Sequence, residues 1–538
     1  MLHFKNKNSL PVLALAAAWT LAIALVNPLG DFPLNDDFSY ARSTFNFLEQ
    51  GRLIYDQWLS MTLVSQLLWG ALFCKIFGAS FTVLRFSTLV LAWVGLVASY
   101  FLCRELGQGR KLSCLIAAVV AFNPFFFSLS FTFMTDVPFF TFCVLSTFFY
   151  VKSLRTGAIS WVLAGTFFAL AATFVRQLGL MLPVSFGVAW LFREGFRHKS
   201  WLVALTPAAL ALVLFFLYTN WLEVTNGLSE GYGDVGRLFK RLGEPEFFEI
   251  AFYRTGILAV YLGAFSLPLS LALLPSVNSK TGSLKNWTTA LAVVLLLVTT
   301  LAAWEKLPWG NLLYNFGLGP KLLKDSYFFL NIQPVLPAWV VEFLKITGFG
   351  GALLLFILIK SNLPPMFLKN LRKHPFVIFA LANLVLYVGF LMLDMHFFDR
   401  YFFQMLPFLL VVALPPAGVF LKKRWLVAGA TVLTFQAIFS LTATHDYLSW
   451  NRARWQALEF LEKEKNIPPN RIDGGFEYNG WHKPGQRNYE SAKSWWWVDR
   501  DDFVVAFGDL NGFSKEMGFP FVRWLPPGQD SIYILKRN

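Results

Sequence analysis

The chain has 538 residues, of which 56% are hydrophobic and 14% are charged. Soluble globular proteins carry about 25% charged residues, so the composition excludes a soluble globular protein and predicts a polytopic α-helical membrane protein. The net charge of +14 comes from basic residues in short loops between apolar segments, a pattern that indicates a lipid bilayer as partner and excludes nucleic acid.

Apolar segments of about 20 residues, the length that an α-helix needs to cross a bilayer, recur along the chain. They predict about 13 transmembrane helices. These lie near residues 9–29, 81–103, 111–130, 137–153, 158–173, 177–192, 200–218, 251–275, 287–304, 337–360, 375–394, 401–421 and 425–443. The segment 54–78 is interrupted by polar residues, and we expect it to form helices in the outer membrane interface.

Basic residues cluster in alternate loops, while the intervening loops carry most of the acids. Because cytoplasmic loops are enriched in Lys and Arg, we expect the N-terminus in the cytoplasm and the acidic loops outside. The first apolar run is predicted to be an uncleaved helix because no small-residue cleavage site follows it. The sequence thus predicts a multi-pass protein of the plasma (inner) membrane with an extracytoplasmic C-terminus.

The composition changes near residue 445, which divides the chain into a transmembrane domain, 1–444, and a C-terminal domain, 445–538. The sequence "NRARWQALEFLEKEKN" predicts an amphipathic helix, and the runs "FVVAFG" and "SIYILK" predict strands. A glycine- and tryptophan-rich loop separates the helix from the strands. We expect a small α/β domain on the extracytoplasmic face.

The first outer loop places two adjacent carboxylates, Asp36 and Asp37, just after the first apolar helix. One interpretation is helix capping, with Asn35 or Asp36 as N-cap and Gly51 as C-cap of the segment between them. The functional interpretation is a carboxylate in a cavity at the outer membrane edge, placed to accept a proton from a hydroxyl group.

Three further polar residues interrupt apolar sequence. Asp136 begins a helix before Pro138 and is interpreted either as a cap or as a functional carboxylate at the membrane boundary. Arg176 and Gln177 interrupt an otherwise apolar run, and both are candidate phosphate-binding residues. A guanidinium in such surroundings needs an anion, so Arg176 is predicted to contact a phosphate or to form a salt bridge with Asp136 or Asp36.

A late outer loop reads "LMLDMHFFDRYFFQMLPF" and places Arg400 and Tyr401 at the start of a predicted helix. Asp394, His396 and Asp399 in this loop are candidate ligands of a divalent metal, although a single histidine gives a metal site little support. The four cysteines lie in or beside apolar stretches without metal or redox spacing, so we expect them to be buried and unpaired.

Carboxylates and arginines thus converge on one face of an apolar body. This arrangement suits an enzyme whose lipid-linked phosphate donor enters laterally from the membrane and meets an extracytoplasmic acceptor. The alternative is a multispan transporter or flippase of a lipid-linked or anionic substrate. Transporters show inverted repeats and polar groups at midplane, and neither is visible here. A polymerase or ligase that moves a whole glycan is a third hypothesis.

The sequence "PLNDDFSYARSTFNFLEQGRL" resembles the first outer-loop motif of glycosyltransferase family 39. These are GT-C proteins that include protein O-mannosyltransferases and lipid A aminoarabinose transferases. The stretches "FMTDVPFF", "VRQLGL" and "DRYFFQMLPF" match later landmarks in the same order. The resemblance covers roughly residues 10–420, and it implies a GT-C fold and an inverting transferase that uses a polyprenyl-phosphate sugar.

The resemblance also implies roles for individual residues. It makes Asp36 the catalytic base, assigns the second-loop carboxylate to Asp136, and places Arg400 and Tyr401 near the donor phosphate. Two departures stand out. Asp37 replaces the usual glutamate, and the Lys-Pro-Pro stretch of aminoarabinose transferases is absent from "SMTLVSQLLWG". These departures weaken the expectation of a lipid A acceptor.

Overall fold

The computed structural model describes residues 9–228, 232, 240–277, 287–310, 312–316, 337–362, 371–414, 422–482 and 498–538. Its longer α-helices are α1 (Ser9–Val26), α2 (Asp37–Gln50), α3 (Val64–Phe77), α4 (Phe81–Glu105), α5 (Arg110–Ala121), α6 (Pro124–Ser130), α7 (Asp136–Thr156), α8 (Ile159–Thr173), α9 (Met181–Glu194), α10 (His198–Asn226), α11 (Phe247–Leu273), α12 (Trp287–Ala303), α13 (Ala338–Asn362), α14 (Pro375–Leu393), α15 (Leu406–Ala413), α16 (Lys423–Glu459) and α17 (Phe476–His482).

Most predicted helices coincide with observed ones, but the predicted number of spans is not confirmed. Among the described residues seven helices are long and apolar enough to cross a membrane, or eight if the bent pair α5–α6 is one span. This pair bends by 65° because Asn123 caps the second helix and Pro124 begins it. The predicted span 401–421 instead contains a 3-10 segment, Asp399–Met405, and the short α15, and its last residues lie outside the described ones.

The outer surface of the helical body is apolar, as a protein in a bilayer requires. On α10, Leu202, Phe216 and Val224 are 70%, 63% and 87% exposed. Contiguous apolar surface of this kind is rare on soluble proteins. Together with the apolar helices, it identifies a membrane protein.

Glycines allow two of the long helices to touch backbone to backbone. An added Cβ at Gly263 of α11 would overlap the carbonyl oxygen of Gly348 of α13, and one at Gly351 would overlap the carbonyl oxygen of Gly263. Small residues at helix crossings permit this approach where lipid provides no hydrophobic drive. The α11–α13 contact is thus fixed by side-chain size.

The C-terminal region does not begin at a break in the chain. Helix α16 continues through the predicted boundary at residues 444 and 445, and the predicted amphipathic helix comprises its last turns and the π-helical segment Phe460–Glu464. A four-stranded sheet follows in the order β1 (Ile472–Asp473), β2 (Phe503–Ala506), β4 (Pro527–Arg537) and β3 (Phe513–Trp524). Both predicted strands are confirmed as β2 and β4, whereas residues 483–497 of the predicted loop lie outside the described residues.

The segment 54–78 contains one helix, α3, preceded by irregular chain. One side of α3 is buried, including Gln66 and Leu67, while Leu68, Leu72 and Ile76 are exposed. Two-sided helices of this kind suit a membrane interface. The interfacial position itself stays a prediction.

Candidate active site

The loop before α2, residues 27–36, is fixed by hydrogen bonds from a buried arginine. The buried guanidinium of Arg85 donates hydrogen bonds to the carbonyl oxygens of Pro28, Gly30 and Phe32. Asn35 then adopts a left-handed backbone with φ of 55°, a conformation that asparagine tolerates better than most residues. This geometry brings Asp36 to the start of α2 with its side chain directed away from the helix.

The carboxylate of Asp36 has one donor on each oxygen. The Nε1–H of Trp58 donates to Oδ1 over 3.1 Å, and Nη2 of Arg400 donates to Oδ2 over 3.1 Å. Asp36 occupies the N-cap position of α2 but makes no side-chain capping bond, so capping does not explain it. Its side chain is 20% exposed, which leaves the carboxylate accessible.

Unlike Asp36, Asp37 is buried, and its carboxylate accepts hydrogen bonds from backbone N–H groups. Its Oδ1 accepts from the N–H of Leu34 over 2.6 Å, and its Oδ2 accepts from the N–H of Phe133 over 3.0 Å. Burial raises the pKa of Asp37 to about 7, although the two N–H donors act in the opposite direction. Asp37 therefore joins the first loop to the chain before α7, while Gly51 ends α2 as the predicted C-cap.

Asp136 and Arg176 form a fully buried ion pair. The Nη2 of Arg176 lies 2.9 Å from Oδ2 of Asp136, and Nε donates to the hydroxyl of Thr135 over 2.8 Å. The ion pair is close but poorly aligned, so neither carboxylate oxygen of Asp136 has a hydrogen bond within the described part of the chain. Of the two sequence interpretations of Arg176, the structure therefore contains the salt bridge to Asp136.

The ring of Tyr401 is in contact with two arginines. The guanidinium carbon of Arg176 is 5.1 Å from the ring centroid, and that of Arg400 is 5.7 Å away. A cation over the face of an aromatic ring is attracted by the ring electrons, so Tyr401 stabilises both guanidinium groups. The Nε–H of Arg400 has no hydrogen-bond partner among the described residues, so this guanidinium has a donor left for a further anion.

Tyr40, which was not predicted from sequence, lies among these charges. Burial raises its pKa, Asp36 and Asp136 raise it further, and Arg400 and Arg176 lower it. The four charged groups therefore surround one buried phenol. In the sequence Tyr40 is one of many aromatic residues and lies one helical turn after Asp36. Nothing in the sequence distinguishes it from an ordinary core residue.

The segment before α3 supports the chain that carries Arg176. The N–H of Leu63 donates to the carbonyl of Val175 over 3.3 Å, and the hydroxyl of Thr62 donates to Thr173 over 2.7 Å. Gln177 donates its amide to the carbonyl of Ser60 over 3.0 Å. Gln177 therefore holds two loops together, and a role in binding the donor phosphate stays a prediction.

The predicted metal ligands do not converge. Both oxygens of Asp399 accept backbone N–H groups, from Leu312, Leu313 and Arg400, and burial raises its pKa to about 6. His396 is exposed, and its ring lies 3.6 Å from Asp394. Within the described ranges no three His, Cys, Asp or Glu side chains are grouped for a metal. These residues do not fit a metal site.

A small, mostly apolar cavity lies among the helices near the charged cluster. It is lined by Phe139, Leu178, Met181, Asn383, Tyr387 and Gln404, among others. Gln404 donates its amide to the carbonyl of Asp136 over 2.9 Å, and Tyr387 donates to the carbonyl of Tyr401 over 3.1 Å. These two hydrogen bonds connect the wall of the cavity to the charged cluster.

Residues 66–222 match the family model of the dolichyl-phosphate-mannose-protein mannosyltransferases. The predicted resemblance is confirmed. The match includes Asp136, Arg176 and Gln177, and it supports glycosyltransferase activity. No curated protein matches the chain.

Solved structures of low sequence identity resemble the whole chain. ArnT from Cupriavidus metallidurans bound to undecaprenyl phosphate aligns with 12% identity and a TM-score of 0.43 over 99% of this chain and 98% of its own. Its apo form aligns with 14% identity and a TM-score of 0.44 over 97% of each chain. A third structure is the archaeal oligosaccharyltransferase AglB from Archaeoglobus fulgidus in complex with an inhibitory peptide and a dolichol-phosphate. It aligns with 16% identity and a TM-score of 0.43 over 91% of this chain and 62% of its own. At TM-scores below 0.5 these alignments assign no residue roles.

Proposed function

We propose that this protein is a GT-C type glycosyltransferase of the plasma membrane. It transfers one sugar from a polyprenyl-phosphate carrier to an extracytoplasmic acceptor, which is a lipid, a glycan or a protein, with inversion at the anomeric carbon. The family match supports a lipid-linked donor, since a dolichyl-phosphate sugar belongs to this class. The geometry around Asp36 supports the choice of base.

The observation that carries the proposal is the difference between the cluster's carboxylates. Asp37 accepts two backbone N–H groups, and Asp136 is buried against Arg176. Asp36 alone among these three is partly open to solvent, and its charged partner is Arg400. A general base must reach the proton that it removes, and this requirement selects Asp36.

In the proposed reaction the acceptor hydroxyl attacks the anomeric carbon of the sugar. Its oxygen forms the new glycosidic bond while the bond between the anomeric carbon and the phosphate oxygen breaks. The hydroxyl proton passes to the carboxylate of Asp36, and the electron pair of the broken bond leaves with the polyprenyl phosphate. A single displacement of this kind inverts the anomeric configuration.

Arg400 is proposed to stabilise the leaving group. The donor phosphodiester carries one negative charge, and the departing monoester carries up to two, so charge develops on the phosphate as the bond breaks. A planar guanidinium binds phosphate oxygens with two parallel donors. The unpartnered Nε–H of Arg400 is available for this contact while Nη2 holds Asp36.

Asp136 and Arg176 are proposed to act beside this pair. Arg176 supports the ring of Tyr401, which in turn flanks Arg400. The positive charge of Arg176 adds to the field felt by the leaving phosphate, the electrostatic contribution that usually dominates such catalysis. Asp136 keeps Arg176 ionised and in place. No step requires a metal.

The experiment is sugar transfer by the purified protein in nanodiscs, with a panel of polyprenyl-phosphate sugars and membrane-lipid, glycan and peptide acceptors. Asp36→Asn keeps the shape and removes the base, and we expect turnover to fall at least about 100-fold. Asp31→Asn makes the same change in the same loop, where Asp31 accepts the N–H of Phe81, and is expected to leave turnover unchanged.

The products distinguish the alternatives. NMR of the glycosidic product must show an anomeric configuration opposite to that of the donor. If Asp36→Asn turns over as fast as wild type, the assignment of the base is wrong. If no donor is consumed and labelled lipid-linked substrate instead crosses a sealed bilayer, the protein is a transporter or flippase.

A further inference from the structure

We propose that Trp58 is a positioning residue that holds the Asp36 carboxylate in its reactive orientation, and that helix α17 of the C-terminal region braces it there. The inference rests on the proposed function, since it assumes that Asp36 is the base. It assigns the C-terminal region a part in catalysis through contacts within this chain.

Trp58 is fixed from its backbone side. Its N–H donates to Oδ1 of Asp56 over 2.9 Å, while the other oxygen of Asp56 pairs with Arg42. The N–H of Asp56 in turn donates to the hydroxyl of Ser43 over 3.1 Å. Both Arg42 and Ser43 belong to α2. The indole is therefore anchored to the helix that begins at Asp36.

The indole ring is fixed from its other side by α17. The ring of Phe476 lies 5.8 Å from that of Trp58 at 68°, and 5.5 Å from that of Phe38 at 77°. Edge-to-face pairs of this kind are each favourable. Phe476 therefore fills the space between Trp58 and α2, and its position sets the direction of the indole N–H.

The same helix fixes the backbone that precedes the base. Oε1 of Glu477 accepts the N–H of Asn35 over 3.0 Å, and Oε2 accepts Nη1 of Arg454 over 2.8 Å. The guanidinium of Arg42 donates to the carbonyl oxygens of Gly480 and Trp481. One polar contact thus joins α17 to the loop before Asp36, and two polar contacts and one aromatic cluster join it to α2.

The two donors on Asp36 have different freedom during the proposed reaction. Arg400 also serves the donor phosphate and shifts its hydrogen bonding as that group leaves. Trp58 has no charge and a single N–H, so it holds Oδ1 throughout. Without it, the carboxylate rotates about its side-chain torsions and spends less time aimed at the acceptor hydroxyl, which lowers the rate of chemistry and leaves substrate binding intact.

The test compares Trp58→Phe with Trp69→Phe in the full-length protein. Both variants remove one indole N–H donor and keep an aromatic ring. The N–H of Trp69 donates to the carbonyl of Ser87 over 2.9 Å, away from the charged cluster. We expect Trp58→Phe to lower kcat about tenfold, as for a lost hydrogen bond to a charged group, with the KM of the donor changed less than about twofold. Trp69→Phe is expected to keep both constants.

A second variant tests the brace. Phe476→Leu leaves the indole N–H in place but removes its aromatic support, and we expect kcat to fall about threefold with an unchanged donor KM. The kcat of both variants is measured below the onset of their unfolding, because Phe476→Leu loses two favourable ring contacts and is expected to melt below wild type. A loss that falls on the donor KM, or an unchanged kcat in the folded variants, overturns the positioning role.

The outcomes separate this inference from the proposed function. If Asp36→Asn keeps full turnover, the proposed function fails at its base. If Asp36→Asn is inactive while Trp58→Phe behaves like Trp69→Phe, the base stands and only the positioning role is wrong.

Discussion

The buried ion pair between Asp136 and Arg176 makes a prediction that separates structural from catalytic roles. The perturbation is Asp136→Leu, which removes the carboxylate and leaves the guanidinium buried. Both side chains are at most 2% exposed and their charged atoms are 2.9 Å apart. Water therefore cannot replace the lost partner.

The expected cost follows from this burial. Removing one partner of a buried pair destabilises proteins by about 3–5 kcal/mol, whereas replacing both by apolar groups is often neutral. Arg176 keeps the hydroxyl of Thr135 and the rings of Tyr401 and Phe139, which offset part of the loss. We therefore expect Asp136→Leu to lower the free energy of unfolding by about 3 kcal/mol. Adding Arg176→Met should bring the free energy of unfolding back to within about 1 kcal/mol of wild type.

The assay is SDS-induced unfolding in mixed micelles, applied to both single variants and the double variant. Glu105→Gln serves as the control, because Glu105 pairs with Arg155 over 3.1 Å at an exposed site and such pairs contribute under about 1 kcal/mol. Turnover is then measured on the folded double variant. Loss of turnover supports the predicted roles of Asp136 and Arg176 in the reaction, and normal turnover contradicts them.

One result would refute the reasoning about stability. If Asp136→Leu lowers the free energy of unfolding no more than Glu105→Gln does, the guanidinium of Arg176 is hydrated and the ion pair is not buried. Arg176 would then be open to an anion from outside.

Three further predictions follow from other parts of the structure. Gly263→Leu in α11 is expected to abolish folded, monodisperse protein on size exclusion because its side chain would enter the carbonyl of Gly348 in α13, whereas Gly350→Leu in α13 meets open space and should behave as wild type. The folded pKa of Asp37, about 7, exceeds the ordinary value of 3.8, so its contribution to stability is complete below about pH 4 and is lost as pH rises towards 7. Melting curves across that range should show this decline, and Asp37→Asn should flatten it; an unchanged slope would contradict the assignment. Arg400→Lys keeps the charge but loses the planar fork, and the kcat/KM of the donor should fall about tenfold or more in the transfer assay, while equal kinetics would contradict phosphate binding.

Much of the fold was predictable because lipid imposes a simple rule on sequence. Helix α14, predicted at 375–394, occupies Pro375–Leu393, and α7, predicted at 137–153, occupies Asp136–Thr156. The errors have local causes. Asn123 and Pro124 interrupt one predicted span, and a 3-10 segment at Asp399–Met405 shortens another, while window averages register only mean hydropathy.

The candidate residues were predictable as a group and not as individuals. Charged residues within apolar sequence stand out because their burial is costly, and this drew attention to Asp136, Arg176 and Arg400. Sequence did not indicate Trp58 or Tyr40, because an aromatic residue in a Phe-rich membrane protein is ordinarily part of the packing.

The sequence by itself determined that this is a membrane protein, because apolar length is a local property, and it predicted that the acids and arginines gather at one face of the membrane. The tertiary structure alone decided which of the two adjacent carboxylates is partly exposed and which is buried. Consecutive helical residues point roughly 100° apart, so one of the pair must turn inward. Asp37 meets the amide of Phe133, and Asp36 meets Arg400, which lies 364 residues away along the chain. Contacts over such distances are set by helix packing, which no local pattern encodes.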